Sequence, residues 1–215
     1  MSAKKQTIAD LLFGVQIVGA VLFCGAQFLR SLVDVKGVSI VQFGLVAIYL
    51  TFHLALGIGA HRAQPSRLTR QAITTYCTWF FLIIAIIGAV LCNGSYHWSV
   101  QDTTTLLIAL VLTLLIFVVG RWYRLTIANP VMKALLAIAY KSVPQVLLAW
   151  KILTEGGSGI PMLTVVVGHL TILIRLGQIY LMVREAGWDP NRKWLAISET
   201  ANEISWVVAT IAWLS

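Results

Sequence analysis

The chain has 215 residues, of which 59% are hydrophobic and only 11% charged, with a formal net charge of +8. So little charge excludes an ordinary soluble domain of this length, and the long apolar runs place the chain among polytopic membrane proteins. The basic excess does not mark a nucleic-acid binder, because the Lys and Arg residues sit at the ends of apolar runs rather than on one basic face.

Apolar runs of about span length fall near 8–30, 38–60, 70–92, 103–126, 131–152, 159–184 and 193–214, which predicts seven transmembrane helices. The first follows "MSAKKQTIAD" and is read as an uncleaved span rather than a signal peptide, since the run is long and no good small-residue cleavage site follows it. The breaks carry turn residues: "DVKGVS", "AQPSR", "CNGSYHWS", "IANP", "TEGGSG" and "REAGWDPNRK". Lys4 and Lys5 share a side with Arg62, Arg67, Arg70, Arg121, Arg124, Lys133, Arg184, Arg192 and Lys193, whereas the other side has Arg30, Lys36 and Lys151. The positive-inside rule then expects a cytoplasmic N-terminus and an outer C-terminus. Compactness and charge bias suggest a bacterial inner membrane.

Helices one and five align, "CGAQFLRSL" on "SVPQVLLAW", so Gln27 falls on Gln145. Helices two and six align at Leu56-Gly57 and Leu176-Gly177, and "QAITT" of helix three falls on "LAISE" of helix seven. The expected architecture is an all-α membrane protein with a parallel 3+1+3 repeat: a first triple-helix bundle over 1–102, a linker helix over 103–130 and a second bundle over 131–215.

A few polar residues lie inside these spans, where each ionisable group costs about 2.5–3.5 kcal/mol at the helix centre. They are His53, Lys141, His169, Arg175, Glu199, Asn202 and Glu203. Glu199, Asn202 and Glu203 share one helical face. His169 and Arg175 are about 120° apart around their helix, which makes Arg175 a natural partner for the acids of helix seven. Lys141 either pairs with such an acid or snorkels to the membrane surface. Burial raises a carboxyl pKa, so Glu199 and Glu203 are the proton-coupling candidates. Trp206, mid-helix and three residues from Glu203, is a candidate cavity residue, while most of the tryptophans lie near helix ends as an interfacial belt. Pro144 removes one helical hydrogen bond and frees a carbonyl near Tyr140, which predicts a kink or hinge. Cys24, Cys77 and Cys92 lack metal-ligand spacing. No nucleophile elbow, zinc-protease motif or phosphate loop marks an enzyme, so no catalytic residue, metal or cofactor is expected.

Four features resemble the PQ-loop superfamily, which includes the SWEET and SemiSWEET sugar transporters: Pro144-Gln145, the "TEGGSGIP" turn after it, the three-one-three layout and the length. The likeness spans essentially the whole chain. It implies a SWEET-like fold with a central cavity and alternating access, and hinge or gate roles for Pro144, Gln145, Gln27 and Lys141. The family also holds receptor-like members, so fold alone does not fix function. The first half has Ala26-Gln27 where relatives have Pro-Gln. Counting along helix six from Pro161 by the SWEET spacing reaches Arg175 where a sugar-lining tryptophan stands in SWEETs, and the matching count from Val41 reaches Ala55. Asn202 aligns with the second pocket asparagine, and Thr78 stands where the first would be.

The resemblance and the polar residues together lead to a small-solute transporter for an anionic or zwitterionic solute, with proton coupling through Glu199 or Glu203. Its substrate-binding set is Arg175, Asn202, Glu199, Glu203, Thr78, Trp206 and His169. Its partners are the lipid bilayer and a small-molecule substrate. The alternative is a non-transporting membrane receptor or a subunit of a membrane complex. A second copy or a partner subunit is compatible with either, and nucleic acid with neither.

Overall fold

The computed structural model describes residues 3–215, with side chains from residue 10 onward. Lys4 and Lys5 of the orientation argument therefore lie outside the described side chains. Among the described residues the chain is all helical. Seven helices follow in order: α1 Ala3–Ser31, α2 Ile40–Ala63, α3 Arg67–Cys92, α4 Val100–Trp122, α5 Pro130–Glu155, α6 Met162–Ala186 and α7 Pro190–Leu214. Their starts are written in the sequence. Ser39, Ser66, Ser99, Asn129 and Asp189 each accept a backbone N–H of the first turn, and proline follows Asn129 and Asp189 at the position where its missing N–H costs nothing. Gly156 and Gly187, at φ 88° and 71°, end α5 and α6.

Six of these helices, α1 to α6, are long and apolar enough to cross a membrane, and the protein is an integral membrane protein. The sequence reading expected seven spans. At 25 residues α7 is as long as the others, but Arg192, Lys193, Glu199, Asn202 and Glu203 lower its apolarity, and much of that polarity turns inward. Lipid-side character is plainest on α4, where Leu107, Leu110, Val111, Leu114, Leu115 and Val118 are all exposed. Cys24 is buried, Cys77 is partly buried and Cys92 is exposed.

Helix α3 packs against α1 and α2, and α7 packs against α5 and α6. Helices α1 and α6 meet, as do α2 and α5, while α4 lies against α2 and α5. Helix α5 is the most enclosed span, with half of its most apolar window buried. The disruption expected around Pro144 takes the form of a π turn over Ile138–Ser142, one turn ahead of the proline.

One buried ion pair ties α5 to α4. Lys151 Nζ donates to Asp102 Oδ2, the two side chains being 2% and 0% exposed. Ser39 Oγ and Tyr96 Oη also donate to this carboxylate, at 2.6 and 2.9 Å, and Lys151 reaches Ser99 Oγ at 3.1 Å. Burial first, and then the Asp102 charge, push the Tyr96 hydroxyl above its usual pKa, so it remains a donor. A buried pair is not a large net source of stability, but removing one partner leaves an uncompensated charge at a cost of about 3–5 kcal/mol. Asp102→Asn or Lys151→Met alone is therefore expected to lower the melting temperature in detergent sharply. The double variant Asp102→Leu/Lys151→Met is expected to recover most of the loss, which thermal unfolding followed by circular dichroism would measure.

Candidate functional site

A cavity of about 610 Å³ occupies the space between α1–α3 on one side and α5–α7 on the other. Every helix except α4 lines it. At the end carrying the α2–α3 and α6–α7 turns its rim includes Leu68, Leu181 and Met182, all exposed. At its deep end lie Phe23, Ile83, Gly168 and Trp206. Gly168 is required there, since a Cβ at that position would come 2.5 Å from Trp206 Nε1.

The charged lining belongs to α5–α7. Lys141 Nζ lies 3.3 Å from Glu199 Oε2, the side chains 16% and 10% exposed. Asn202 Nδ2 donates to the same carboxylate at 3.4 Å, while Asn202 Oδ1 is buried without a partner. Arg175 forms no ion pair among the described residues; its Nη1 donates to Gln178 Oε1 at 3.1 Å. The expected pairing of Arg175 with a helix-seven acid is thus corrected. Lys141 takes Glu199, one of the two outcomes expected for it, and Arg175 lies in the cavity wall.

The remaining expected residues divide. Trp206 and Gln145 line the cavity, and Ser205 Oγ donates to Gln145 Oε1. Glu203, His169 and Thr78 are not part of its lining. Glu203 Oε1 meets His169 Nδ1 at 2.7 Å, His169 Nε2 meets Thr210 at 2.9 Å, and Glu203 Oε2 is buried without a partner. This dyad sits between α6 and α7, behind Trp206, whose ring centroid is 6.2 Å from that of His169. Pro144 is fully buried in α5.

Sequence reasoning missed most of the wall from α1–α3. Gln16, Gln42, Tyr49, Gln71, Thr75, Tyr76 and Trp79 line the cavity beside His53. Polar but neutral residues do not announce themselves as expensive in an apolar helix. The available signal was their helical spacing: Gln42, Tyr49 and His53 recur at seven and four residues, and Gln71, Thr75 and Trp79 at four.

Beyond Phe23, Gln42, Phe43 and Trp206 a second chamber of about 20 Å³ is lined by Gln27, Ser39 and Thr164. Polar contacts close it off at the far end. Gln27 Nε2 donates to the Gly159 carbonyl at 2.9 Å and Arg30 Nε to the Ser158 carbonyl at 2.8 Å. Ser158 Oγ donates to Asp34 Oδ2 at 2.6 Å, and Gly159 N–H to the Lys36 carbonyl at 3.0 Å. Four such bonds contribute about 2–6 kcal/mol together, an amount that ligand binding can overcome. The α1–α2 and α5–α6 turns touch backbone to backbone: a Cβ on Gly37 (φ 74°) would fall 2.2 Å from the Gly156 carbonyl oxygen. Gln27 and Gln145, matched in the sequence alignment, therefore stand in different surroundings, one in this latch and the other in the cavity wall.

Burial pushes the Asp34 carboxyl up, but the Ser158 hydroxyl, the Lys36 N–H and the charges of Arg30 and Lys36 together hold it below its ordinary 3.8. A lowered pKa means a contribution that is complete above the ordinary carboxylate range and lost as pH falls through the lowered value. The latch should thus persist in mild acid. Gly37→Ala is expected to spring it at any pH, through backbone strain and the collision with Gly156. Labelling of a cysteine introduced at Gln42 by a membrane-impermeant thiol reagent, in a background lacking the native cysteines, would report this.

Among the described residues no group of three or more His, Cys, Asp and Glu side chains is placed to hold a metal ion. No protein-family model matches the chain, and neither a curated protein nor a solved structure matches it.

Proposed function

We propose that the protein is a small-solute transporter of the PQ-loop, SWEET-like kind, working by alternating access on an anionic or zwitterionic solute. The observation that carries the reading is the cavity itself: about 610 Å³ between the first three and last three helices, with Arg175, which has no ion pair among the described residues, in its wall and a hydrogen-bonded latch beyond its deep end. In this reading α1–α3 and α5–α7 are two triple-helix bundles in parallel repeat, joined by α4, and α7 completes a seventh span with its polar face inward. The arginine-rich turns face the cytoplasm of a bacterial inner membrane, and the cavity opens on that side. Arg175 and Lys141 receive the solute's anionic group. Glu199 and the free Asn202 Oδ1 are acceptors for an ammonium group, so a zwitterion can replace part of the internal Lys141–Glu199 pairing. The π turn before Pro144 is a ready site for α5 to bend, and bending there would couple cavity occupancy to the latch.

Uptake or counterflow exchange in proteoliposomes, across a panel of amino acids, organic acids, sugars and nucleosides, tests the proposal. Transport of at least one charged solute is expected. Folded protein that moves none of them rejects it, and binding without turnover would favour a receptor. Arg175→Gln is expected to weaken the anionic solute by about 10- to 100-fold, the loss of one charge-assisted hydrogen bond of about 1.5–3 kcal/mol. A disulfide between Asp34→Cys and Ser158→Cys is expected to abolish uptake reversibly, with activity returning on reduction.

A further inference from the structure

The two walls of the cavity differ in kind, and the difference constrains what fits between them. One wall is charged: Lys141, Arg175, Glu185 and Glu199. The facing wall is built of rings in mutual contact. Tyr49 and His53 centroids are 4.3 Å apart and His53 and Tyr76 5.2 Å apart. Deeper in, Phe23 bridges Trp79 and Trp206 at 5.6 and 6.1 Å. Among the described residues the Tyr49 and Tyr76 hydroxyls and the Trp79 indole N–H have no hydrogen-bond partner, and neither hydroxyl nor indole N–H is among the atoms sealed from solvent. Rings in a purely structural role usually satisfy such groups. Here their polar tips border the open space.

The walls also come close at one point. Lys141 Nζ lies 5.2 Å from the Tyr49 ring centroid, so a ligand's anion at Lys141 and its flat face on this wall must be only a few bonds apart. A sugar would find hydroxyl partners in Gln42, Gln71 and Thr75 but would leave the charged wall unmatched. A short aliphatic acid would satisfy the charged wall and leave the aromatic wall unused.

Building on the transport reading, we propose that the solute is an aromatic or heteroaromatic carboxylate, with its ring on the Tyr49–Tyr76–Trp79 wall and its carboxylate between Lys141 and Arg175. A ring-to-ring contact is worth about 0.5–1.5 kcal/mol beyond area burial, enough for a preference of roughly tenfold over an aliphatic acid of the same charge. An α-amino group on the solute would meet Glu199 and Asn202, so aromatic amino acids belong to the class.

Binding to the purified full chain in nanodiscs, by calorimetry and thermal shift, tests this with phenylacetate, phenylalanine and tryptophan against leucine, aspartate, acetate and glucose. At least one aromatic carboxylate is expected to bind about tenfold more tightly than its aliphatic counterpart. Trp79→Leu and Tyr76→Leu should erase that preference; Trp79→Phe, which keeps a ring and guards against misfolding, should retain most of it. Arg175→Gln should weaken both classes alike. Equal binding of aromatic and aliphatic acids, a best ligand that is glucose, failure of every aromatic acid to bind, or an aromatic preference that survives in folded Trp79→Leu would each overturn the proposal. The readout needs no turnover. A chain that binds aromatic acids and moves nothing rejects transport alone, and one that moves only aliphatic acids rejects this inference alone.

Discussion

A charge carried into an apolar layer must meet an opposite charge, a polar cavity or the membrane surface, and in this protein two lysines of α5 meet that requirement in opposite directions. Lys141 turns to Glu199 on α7, and Lys151 turns to Asp102 on α4. Between them lie the end of the π turn, Pro144 and Gln145. The helix is thus held by ion pairs at its irregular middle and near its C-terminal end. Its position decides where the cavity begins, because Lys141 lies in the cavity wall while Lys151 lies in a fully satisfied network of hydroxyls and a carboxylate.

The same constraint separates structural charge from available charge. Lys151 and Asp102 are nearly inaccessible and have every partner they need, so they hold α4, α5 and the start of α2 together. Lys141 and Glu199 keep some exposure to the cavity and a looser contact of 3.3 Å, so the pair is open to exchange with a ligand. Arg175 goes further, since its described partner is only the neutral Gln178. Ranking the groups by how completely they are paired also ranks them by fitness for binding, a rule that follows from desolvation and needs no likeness to other proteins.

Much of this was legible in the sequence, and the limits have physical causes. Helix number and approximate ends followed from apolar runs and from caps such as Ser66 and Asp189. Lys141, Arg175, Glu199 and Asn202 stood out because ionisable and amide groups are rare in spans. The pairing of Lys141 with an acid of α7, one of the two outcomes left open for it, is found at Glu199. What failed was the pairing of Arg175, matched to those acids by its angle around α6, which gives a direction but not which neighbouring cation reaches the carboxylate. Asp102 was missed because at the head of α4 it reads as a capping residue, which it also is, and nothing local links it to Lys151. Glu203 and His169 were assigned to the cavity, yet they point at one another between α6 and α7, a neighbouring face that spacing alone does not resolve.

The neutral aromatic wall shows the same limit from the other side. Tyr49, Tyr76 and Trp79 have large apolar bodies with a single polar tip, so they enter a span at little cost and leave no trace in a search for expensive residues. Their positions matter only once α2 and α3 are folded against the charged helices. The cavity thereby has two unlike walls, one bearing charges and one built largely of aromatic rings. Charge draws in many small anions and discriminates poorly among them, whereas a ring wall adds a preference that depends on the ligand being flat. In the proposed reading the ring wall sets the preference among solutes of equal charge, which the charged wall alone does not separate.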